Sequence, residues 1–326
     1  MINKKTIGFL LKILIVSTCL VFLYNQISSK ILLDQFNYIE ILSKIKEHYL
    51  LIIIVLIMMP FNWLIEAFKW RFLIAKIERV NILRSLQAVF SGITVSIFTP
   101  NRIGEYGGRV FCLEKGDRIQ AVLITIIGSV SQFIITFLLG SIGVSYCLLV
   151  YSEVISFLSL QEQNIIYYII LLTLMNILFL YYFFNFSLLS EFFSKRRFFA
   201  KFNKYSTVFK LYKYKELLVV LLLSFFRYLV FSIQFFILFS VFDIDLSYLD
   251  ALILIPTMFF LVSVIPSIAV ADISIRSTVA ILLFGLVTDN IFGILSTTFS
   301  LWIINLIIPA LIGTIFIFTL KFFRKS

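Results

Sequence analysis

Two polar segments interrupt an apolar sequence, and each contains a carboxylate followed four residues later by an arginine. The first pair is Glu105 and Arg109, and the second is Asp272 and Arg276. On a helix this spacing places both side chains on one face, within reach of each other. Each pair either neutralises itself and tethers its helix or forms part of a binding site. Inside a membrane, ionisable groups are costly and tend to line substrate or ion paths, which favours the binding role.

Arginines outnumber acidic residues among these candidates. Arg102 precedes Glu105 by three residues, and Arg227 lies twelve residues beyond Lys215, about 18 Å along a helix. Guanidinium groups bind phosphate through paired hydrogen bonds, so this excess suits an anion. The predicted ligand is the head group of a phospholipid or a polyprenyl phosphate. The predicted substrate-binding residues are Arg102, Glu105, Arg109, Arg227, Asp272, Arg276, Glu66 and Asn305.

The last two residues of this set have alternative explanations. Glu66 shares a helical face with Asn62 and Lys69, and an interfacial anchor explains that face equally well. Asn305 precedes Pro309, which should kink its helix. Asn305 therefore either lines the site or bonds the carbonyls that the kink frees.

The composition indicates that membrane helices position these residues. Of 326 residues, 61% are hydrophobic and 14% are charged, and the mean hydropathy is +1.06. A water-soluble globular protein cannot carry so much apolar surface. The predicted fold class is all-α, a polytopic transmembrane helix bundle. No polar or Pro-rich linker divides the chain, which predicts a single integral membrane domain over 1–326.

The basic residues indicate the topology. The net charge is +11, and the basic residues cluster in loops between apolar runs, above all in 191–215. This is the pattern that the positive-inside rule describes. We therefore predict a multi-pass protein of the cell (inner) membrane, with both termini cytoplasmic and with Glu153 and Asp245 outside. The apolar run 7–24 fits a retained first transmembrane helix better than a signal peptide. Nucleic acid is not an expected partner, although the basic loops suit anionic lipid head groups.

The two halves of the chain, about 49–150 and 217–320, share one plan. Each has a crossing helix, a short apolar run ending in proline, a polar break and a long crossing helix. The short runs, 85–99 and 251–265, cannot cross a membrane and return. This is the inverted-repeat layout in which secondary transporters place a midplane site between broken helices. We predict two broken or re-entrant segments that meet around one polar cavity.

Three segments resemble the lysylphosphatidylglycerol synthase transmembrane-region family. They are residues 62–70 (Asn-Trp-Leu-Ile-Glu-Ala-Phe-Lys-Trp), residues 100–105 (Pro-Asn-Arg-Ile-Gly-Glu) followed by Arg109, and residues 265–267 (Ile-Pro-Ser) followed by Asp272 and Arg276. The likeness runs from about Tyr49 to the C-terminus. The best-known members, the bacterial multiple peptide resistance factors, join a flippase-type membrane domain to a soluble aminoacyl-transferase domain.

The resemblance implies lipid handling without lipid aminoacylation, because the sequence shows no soluble transferase domain. The second motif departs from the family pattern. Where many relatives have glycines and a glutamate, this chain has Ala269, Ala271, Asp272 and Ser274. Whether this half moves or binds as it does in the relatives is left open.

The predicted function is therefore the translocation of an anionic lipid head group by a protein that is not an enzyme. Membrane lipids are the expected partners, and a homo-oligomer or a separate lipid-modifying enzyme is left open. One alternative is a membrane-embedded glycosyltransferase, since Asp243-Ile244-Asp245 resembles a DxD metal-binding pair. Another is a small-anion transporter, whose cavity would be closed to lipid.

No cofactor or metal site is expected from the residue types. Cys19, Cys112 and Cys147 stand too far apart for a zinc spacing. His48 is the only histidine, so a catalytic triad would depend on it alone.

Overall fold

The structure is a computed structural model that describes residues 38–99, 102–151, 164–188, 207–265 and 272–318, with single positions at 10, 13, 14, 17, 21 and 205. Almost all of the predicted first transmembrane helix (7–24) lies outside the described residues. So do most of the basic loop 191–215, the outer residue Glu153 and the second polar break at 266–271.

All regular elements in these ranges are helical. Numbered in chain order, they are α1 (Tyr38–Glu47), α2 (Tyr49–Ile74), α3 (Ile82–Ser96), α4 (Gly104–Val110), α5 (Arg118–Val150), α6 (Ile165–Phe184), α7 (Tyr214–Val241), α8 (Tyr248–Val264), α9 (Asp272–Phe284), α10 (Ile291–Trp302) and α11 (Ile308–Ile317). A 3₁₀ turn at Thr207–Leu211 precedes α7, and a π-helical turn at Ile303–Ile307 joins α10 to α11.

Within the described residues, five helices are long and apolar enough to cross a membrane. They are α2, α5, α6, α7 and the continuous helix Ile291–Ile317, with mean hydropathies between 2.0 and 2.3. This confirms the predicted polytopic helical membrane protein.

The apolar runs before the two polar breaks form short helices, as predicted. Helix α3 has 15 residues and α8 has 17, fewer than the roughly 20 that a bilayer crossing requires. Each begins at a polar N-cap, where the Asn81 side chain accepts from the Arg84 backbone N–H at 2.8 Å and the Ser247 hydroxyl accepts from the Asp250 N–H at 3.1 Å. These bonds satisfy donors that a helix start leaves unpaired.

The chain forms two compact units. The first unit comprises 1–128, 267–273 and 299–326, and the second comprises 129–266 and 274–298. Each unit therefore draws on both halves of the sequence. The inverted repeat and the shared cavity stay predictions.

In the first unit, α4 folds back along α3 as a helical hairpin. A Cβ atom added to Gly108 would lie 2.6 Å from Gly92 Cα, and one added to Gly104 would lie 2.4 Å from the Val95 carbonyl oxygen. Only glycine permits such a close approach of two backbones. The described part of the first polar break, 102–108, therefore forms the turn and most of the returning helix of this hairpin.

Both ends of this hairpin meet at one polar connection. The Arg84 guanidinium, near the start of α3, pairs with Glu114, in the loop that follows α4, at 3.3 Å. The Glu78 carboxylate accepts backbone N–H bonds from Glu114, Lys115 and Gly116 at 2.7 to 3.1 Å. Burial alone would raise the pKa of Glu78, but these three N–H donors and Arg84 outweigh it and lower the pKa below its usual value.

Helix α3 is also fixed by contacts with α2 and α11 in its own unit. The Thr94 hydroxyl donates to the Ala310 carbonyl of α11 at 2.8 Å, and a Cβ atom at Gly313 would lie 2.2 Å from the Phe90 carbonyl oxygen. The Ser85 hydroxyl donates to the Ala67 carbonyl of α2 at 2.6 Å. Small residues and hydroxyls thus replace the hydrophobic effect, which does not drive helix association within lipid.

In the second unit, glycines and hydroxyls of α5 make the corresponding contacts. Cβ atoms added to Gly140 and Gly143 would lie 2.2 and 2.4 Å from side-chain atoms of Phe260 and Thr257 on α8. The hydroxyls of Ser131 on α5 and Ser224 on α7 are 2.8 Å apart. These contacts hold α5, α7 and α8 together.

Candidate functional site

Helix α2 presents a buried polar face. Asn62, Glu66 and Lys69 lie on one side of the helix and are buried. Glu66 stands eight residues before the end of α2, about 12 Å along the helix axis. These side chains are enclosed by protein, so an interfacial anchor does not explain them.

Four of the charged side chains form one network, here called the charged cluster: Glu66 and Lys69 of α2, and Glu105 and Arg109 of α4. One oxygen of Glu66 accepts from Arg109 Nη1 at 2.8 Å, and the other is 2.9 Å from Lys69 Nζ. Arg109 Nη2 pairs with Glu105, as the four-residue spacing predicted. Arg109 therefore bridges two carboxylates.

Contacts with α3 and α5 fix the positions of Lys69 and Arg109. Lys69 Nζ also donates to the Gly128 carbonyl oxygen on α5 at 3.2 Å. Beside it, Trp70 Nε1 donates to the Thr125 hydroxyl at 3.1 Å. Gly92 makes room for the stem of Arg109, since a Cβ atom there would lie 3.0 Å from Arg109 Cγ. The charged cluster thus depends on three helices and a glycine of a fourth.

The cluster is electrically neutral, with two carboxylates and two cations. Three of its side chains are almost fully buried, at 4% exposed for Glu66, 2% for Lys69 and 3% for Arg109. Glu105 is 24% exposed. A buried charge requires a charged partner, and here each charge has one within 3 Å. Arg109 Nε is buried and has no hydrogen-bond partner among the described residues. A molecule that approaches the cluster meets the carboxylate of Glu105 first.

These observations agree with one family. The model of the lysylphosphatidylglycerol synthase transmembrane-region family matches residues 9–313 of the chain. The chain belongs to this family. The match begins earlier than the sequence motifs indicated and includes most of the apolar run 7–24. No curated protein and no solved structure is significantly similar to the chain.

In this family member, the turn before α4 holds Arg102 in an unusual backbone conformation. Its φ is 57°, in the left-handed region, which residues with a Cβ atom rarely adopt. The Thr99 hydroxyl accepts from the Gly104 backbone N–H at 2.9 Å and so caps α4. The side chain of Arg102 is exposed at the tip of the hairpin.

Arg227 lies at the centre of a crossing helix in the second unit. It is the fourteenth of the 28 residues of α7 and is partly exposed. Its guanidinium carbon is 5.4 Å from the ring centroid of Phe231, one turn further along, in cation–π geometry. The sequence predicted the mid-helix position but not this aromatic partner.

The remaining candidates fall in both units. Asp272 begins α9 in the first unit and is 8% exposed, while Arg276, one turn later, belongs to the second unit. The charged cluster, Arg102 and Asn305 belong to the first unit, and Arg227 belongs to the second. The structure thus brings Glu66, Glu105 and Arg109 together and adds Lys69, which sequence reasoning did not include in the site.

Asn305 lies inside the π-helical turn. The Ile308 backbone N–H donates to the Ile303 carbonyl, five residues earlier, and Pro309 has no N–H to donate to the carbonyl of Asn305. The Asn305 side-chain amide donates to the Leu301 carbonyl at 3.3 Å. Its Oδ1 is buried and has no hydrogen-bond partner among the described residues. Asn305 therefore supports the distorted helix and keeps one acceptor for a water molecule or ligand.

The Asp243-Ile244-Asp245 sequence has a structural explanation. Asp243 has a φ of 55°, and the Ile244 backbone N–H donates to the Phe239 carbonyl at 2.9 Å. This is the Schellman geometry that ends many helices, here α7. Ile244 is buried between two exposed aspartates. In the described part of the chain, no group of three or more His, Cys, Asp or Glu side chains is arranged to hold a metal ion.

Proposed function

We propose that this protein translocates a lipid across the membrane by carrying its anionic head group, from a phospholipid or a polyprenyl phosphate, through the interior. The observation that carries the proposal is the charged cluster of Glu66, Lys69, Glu105 and Arg109, buried beside a re-entrant hairpin of a membrane protein. A purely structural tether needs no four-charge network, since apolar packing of equal volume is often as stable. Membership of a family whose name refers to a phospholipid synthase supports the lipid class.

The proposal gives the arginines distinct roles. Arg109 holds two carboxylates, so a phosphate reaches it by replacing one of them. Arg227, partly exposed at mid-helix, and Arg276 on α9 are the further phosphate contacts that we propose. Arginine suits this role because its planar fork binds phosphate through two parallel hydrogen bonds.

The proposal also includes the topology. The basic loops favour a cell-membrane protein with cytoplasmic termini, and membrane lipids are its partners. A homo-oligomer or a separate lipid-modifying enzyme is compatible with this function. Cysteine labelling from outside intact cells, after removal of the native cysteines, tests the topology: a cysteine at Lys201 should remain unlabelled, and one at Asp245 should react.

Transport itself is tested in proteoliposomes that contain labelled phospholipids and polyprenyl phosphates. The native chain should move at least one lipid class. Arg109→Lys keeps the charge facing Glu66 but loses the planar fork, and Arg276→Gln removes a cation. Each should slow transport at least about tenfold, because a charge-assisted hydrogen bond contributes about 1.5 to 3 kcal/mol.

Arg84→Gln is the matched control. Arg84 is also paired with carboxylates, but in the polar connection outside the crossing helices, at 3.3 Å from Glu114 and 3.8 Å from Glu78. It should transport at the native rate. If folded Arg109→Lys and Arg276→Gln also transport at the native rate, these arginines are tethers. If the native chain moves no lipid of the panel but moves inorganic anions, it is a small-anion transporter.

A further inference from the structure

The charged cluster contains a carboxylate that is placed to bind a proton. We propose that Glu105 takes up one proton whenever an anionic head group pairs with Arg109, so that lipid transport is coupled to proton transport. This inference rests on the proposed function and names a proton gradient as the driving force of lipid transport.

Charge balance is the first step of the argument. Glu66, Lys69, Glu105 and Arg109 sum to zero, and three of these side chains are at most 4% exposed. A phosphodiester that entered would leave the cluster with one net negative charge in a medium of low dielectric constant, which is costly. One proton on a carboxylate restores neutrality.

The geometry decides which carboxylate takes the proton. Glu66 is held by two cations, Arg109 at 2.8 Å and Lys69 at 2.9 Å, and is 4% exposed. Glu105 is paired with Arg109 alone in the cluster and is 24% exposed. Glu105 can therefore separate from its partner and reach water, whereas Glu66 stays behind as the fixed counter-charge.

The surroundings of Glu105 contain few other charges in the described part of the chain. Helix α3, which packs along α4, carries one charged residue, Arg84, and this pairs with Glu78 and Glu114 at the far end of the hairpin. Helix α2 contributes Glu66 and Lys69, and α5 contributes the Gly128 carbonyl that binds Lys69. On α4 itself stand Arg109 and the partly exposed Tyr106, and Arg102 is exposed before it.

The exchange balances in atoms and charge. A proton from water binds the Glu105 carboxylate. The neutral carboxylic acid then separates from Arg109 Nη2, and the cluster has a charge of +1. A phosphodiester oxygen then accepts from Nη2, and the net charge returns to zero. On the other side of the membrane the head group leaves, Glu105 returns its proton to water, and the ion pair with Arg109 forms again. One proton and one negative lipid cross together, so the process is electroneutral.

The test uses proteoliposomes that contain the full chain and a fluorescently labelled phosphatidylglycerol, with and without an imposed pH gradient. One proton per lipid predicts that each pH unit shifts the steady-state distribution of the label between leaflets about tenfold. An imposed potassium diffusion potential should have no effect. A pH-sensitive dye inside the vesicles should report proton uptake driven by a lipid gradient, a measurement that needs only the native chain.

Two variants locate the proton site. Glu105→Gln resembles the protonated side chain and cannot release a proton, so its lipid transport, whatever its rate, should not respond to the pH gradient. Glu216→Gln is the control, since Glu216 is also partly exposed but lies at the start of α7, where it accepts from the Lys213 backbone N–H at 2.9 Å. It should keep the native response.

The outcomes separate the two proposals. If the native chain moves lipid with no effect of the pH gradient, coupling is wrong and the proposed function stands. If folded Glu105→Gln keeps the gradient response, Glu105 is not the proton site. If the native chain moves no labelled lipid under either condition, both proposals fall.

Discussion

Arg109 of the short helix α4 is held by Glu66 of α2, 43 residues earlier in the chain, through a hydrogen bond of 2.8 Å between buried side chains. The contact ties a hairpin of two short helices to a helix that is long and apolar enough to cross a membrane. Because Glu66 also neutralises Lys69, it is the carboxylate of the charged cluster that has two cationic partners.

The first prediction concerns the pairing of Glu66 with Arg109 and Lys69. Glu66→Gln leaves two buried cations facing one carboxylate, and removal of one partner from a buried ion pair costs about 3 to 5 kcal/mol. Glu105→Gln should cost clearly less, because Glu105 is 24% exposed. Thermal unfolding of the purified variants in detergent measures both. The double variant Glu66→Gln, Lys69→Gln should recover part of the loss, since it removes one charge of each sign. Equal losses for Glu66→Gln and Glu105→Gln would contradict the assignment.

The second prediction concerns the close contact of the hairpin. Gly108→Ala places a methyl group 2.6 Å from Gly92 Cα, where only backbone movement can make room. Overpacking of this kind costs about 1 to 3 kcal/mol. Gly107→Ala is the neighbouring control, since its nearest neighbour would be Phe111 Cε2 at 4.0 Å. It should be neutral or slightly stabilising through its helix propensity. A Gly108→Ala protein as stable as Gly107→Ala would show that α4 does not lie along α3.

Part of this arrangement follows from the sequence and part does not. The spacing of Glu105 and Arg109 predicts their pairing, because helical geometry is local. The length of the run 85–99 predicts a helix too short to cross. The partnership of Arg109 with Glu66 is not predictable in this way, since periodicity identifies faces and not which faces meet. Gly92 and Gly108 mark a close helix contact, yet their spacing does not identify the neighbouring helix.

The third prediction separates the backbone of Arg102 from its charge. At a φ of 57°, a residue with a Cβ atom is strained by roughly 1 to 2 kcal/mol, and glycine is not. Arg102→Gly should therefore raise the unfolding temperature, while Arg102→Ala should not. Both variants lose the guanidinium. If Arg102 contacts the head group, both should slow transport in proteoliposomes to the same extent, whatever their stabilities. Native transport by both would limit Arg102 to a role in the turn.

The fourth prediction concerns the polar connection at Glu78. Because the pKa of Glu78 is lowered in the folded protein, from an ordinary value of 4.5, its contribution to stability is complete above that value and is lost as the pH falls through the lowered pKa. Glu78→Gln should therefore be less stable than the native chain at pH 7, and the difference should disappear in acid. Unfolding curves at a series of pH values measure it. Glu47→Gln, which removes a surface ion pair with Lys44, is the control and should change the free energy of unfolding by less than about 1 kcal/mol. A constant difference for Glu78→Gln would contradict the pairing.

The fifth prediction concerns Arg227, whose position at the centre of α7 is unfavourable for stability. A charged residue at the middle of a membrane helix costs about 2.5 to 3.5 kcal/mol on insertion scales, and the contact with Phe231 offsets only part of this. Arg227→Leu should therefore yield a more stable protein that transports lipid more slowly, because the cation serves the head group and not the fold. Arg227→Lys keeps a charge without the planar fork, so its transport rate should lie between those of the native chain and Arg227→Leu.

Leu222→Ala, at a position of the same helix that is 47% exposed, controls for altered lipid contact and should transport at the native rate. Loss of stability in Arg227→Leu with unchanged transport would make Arg227 a structural residue and remove it from the site.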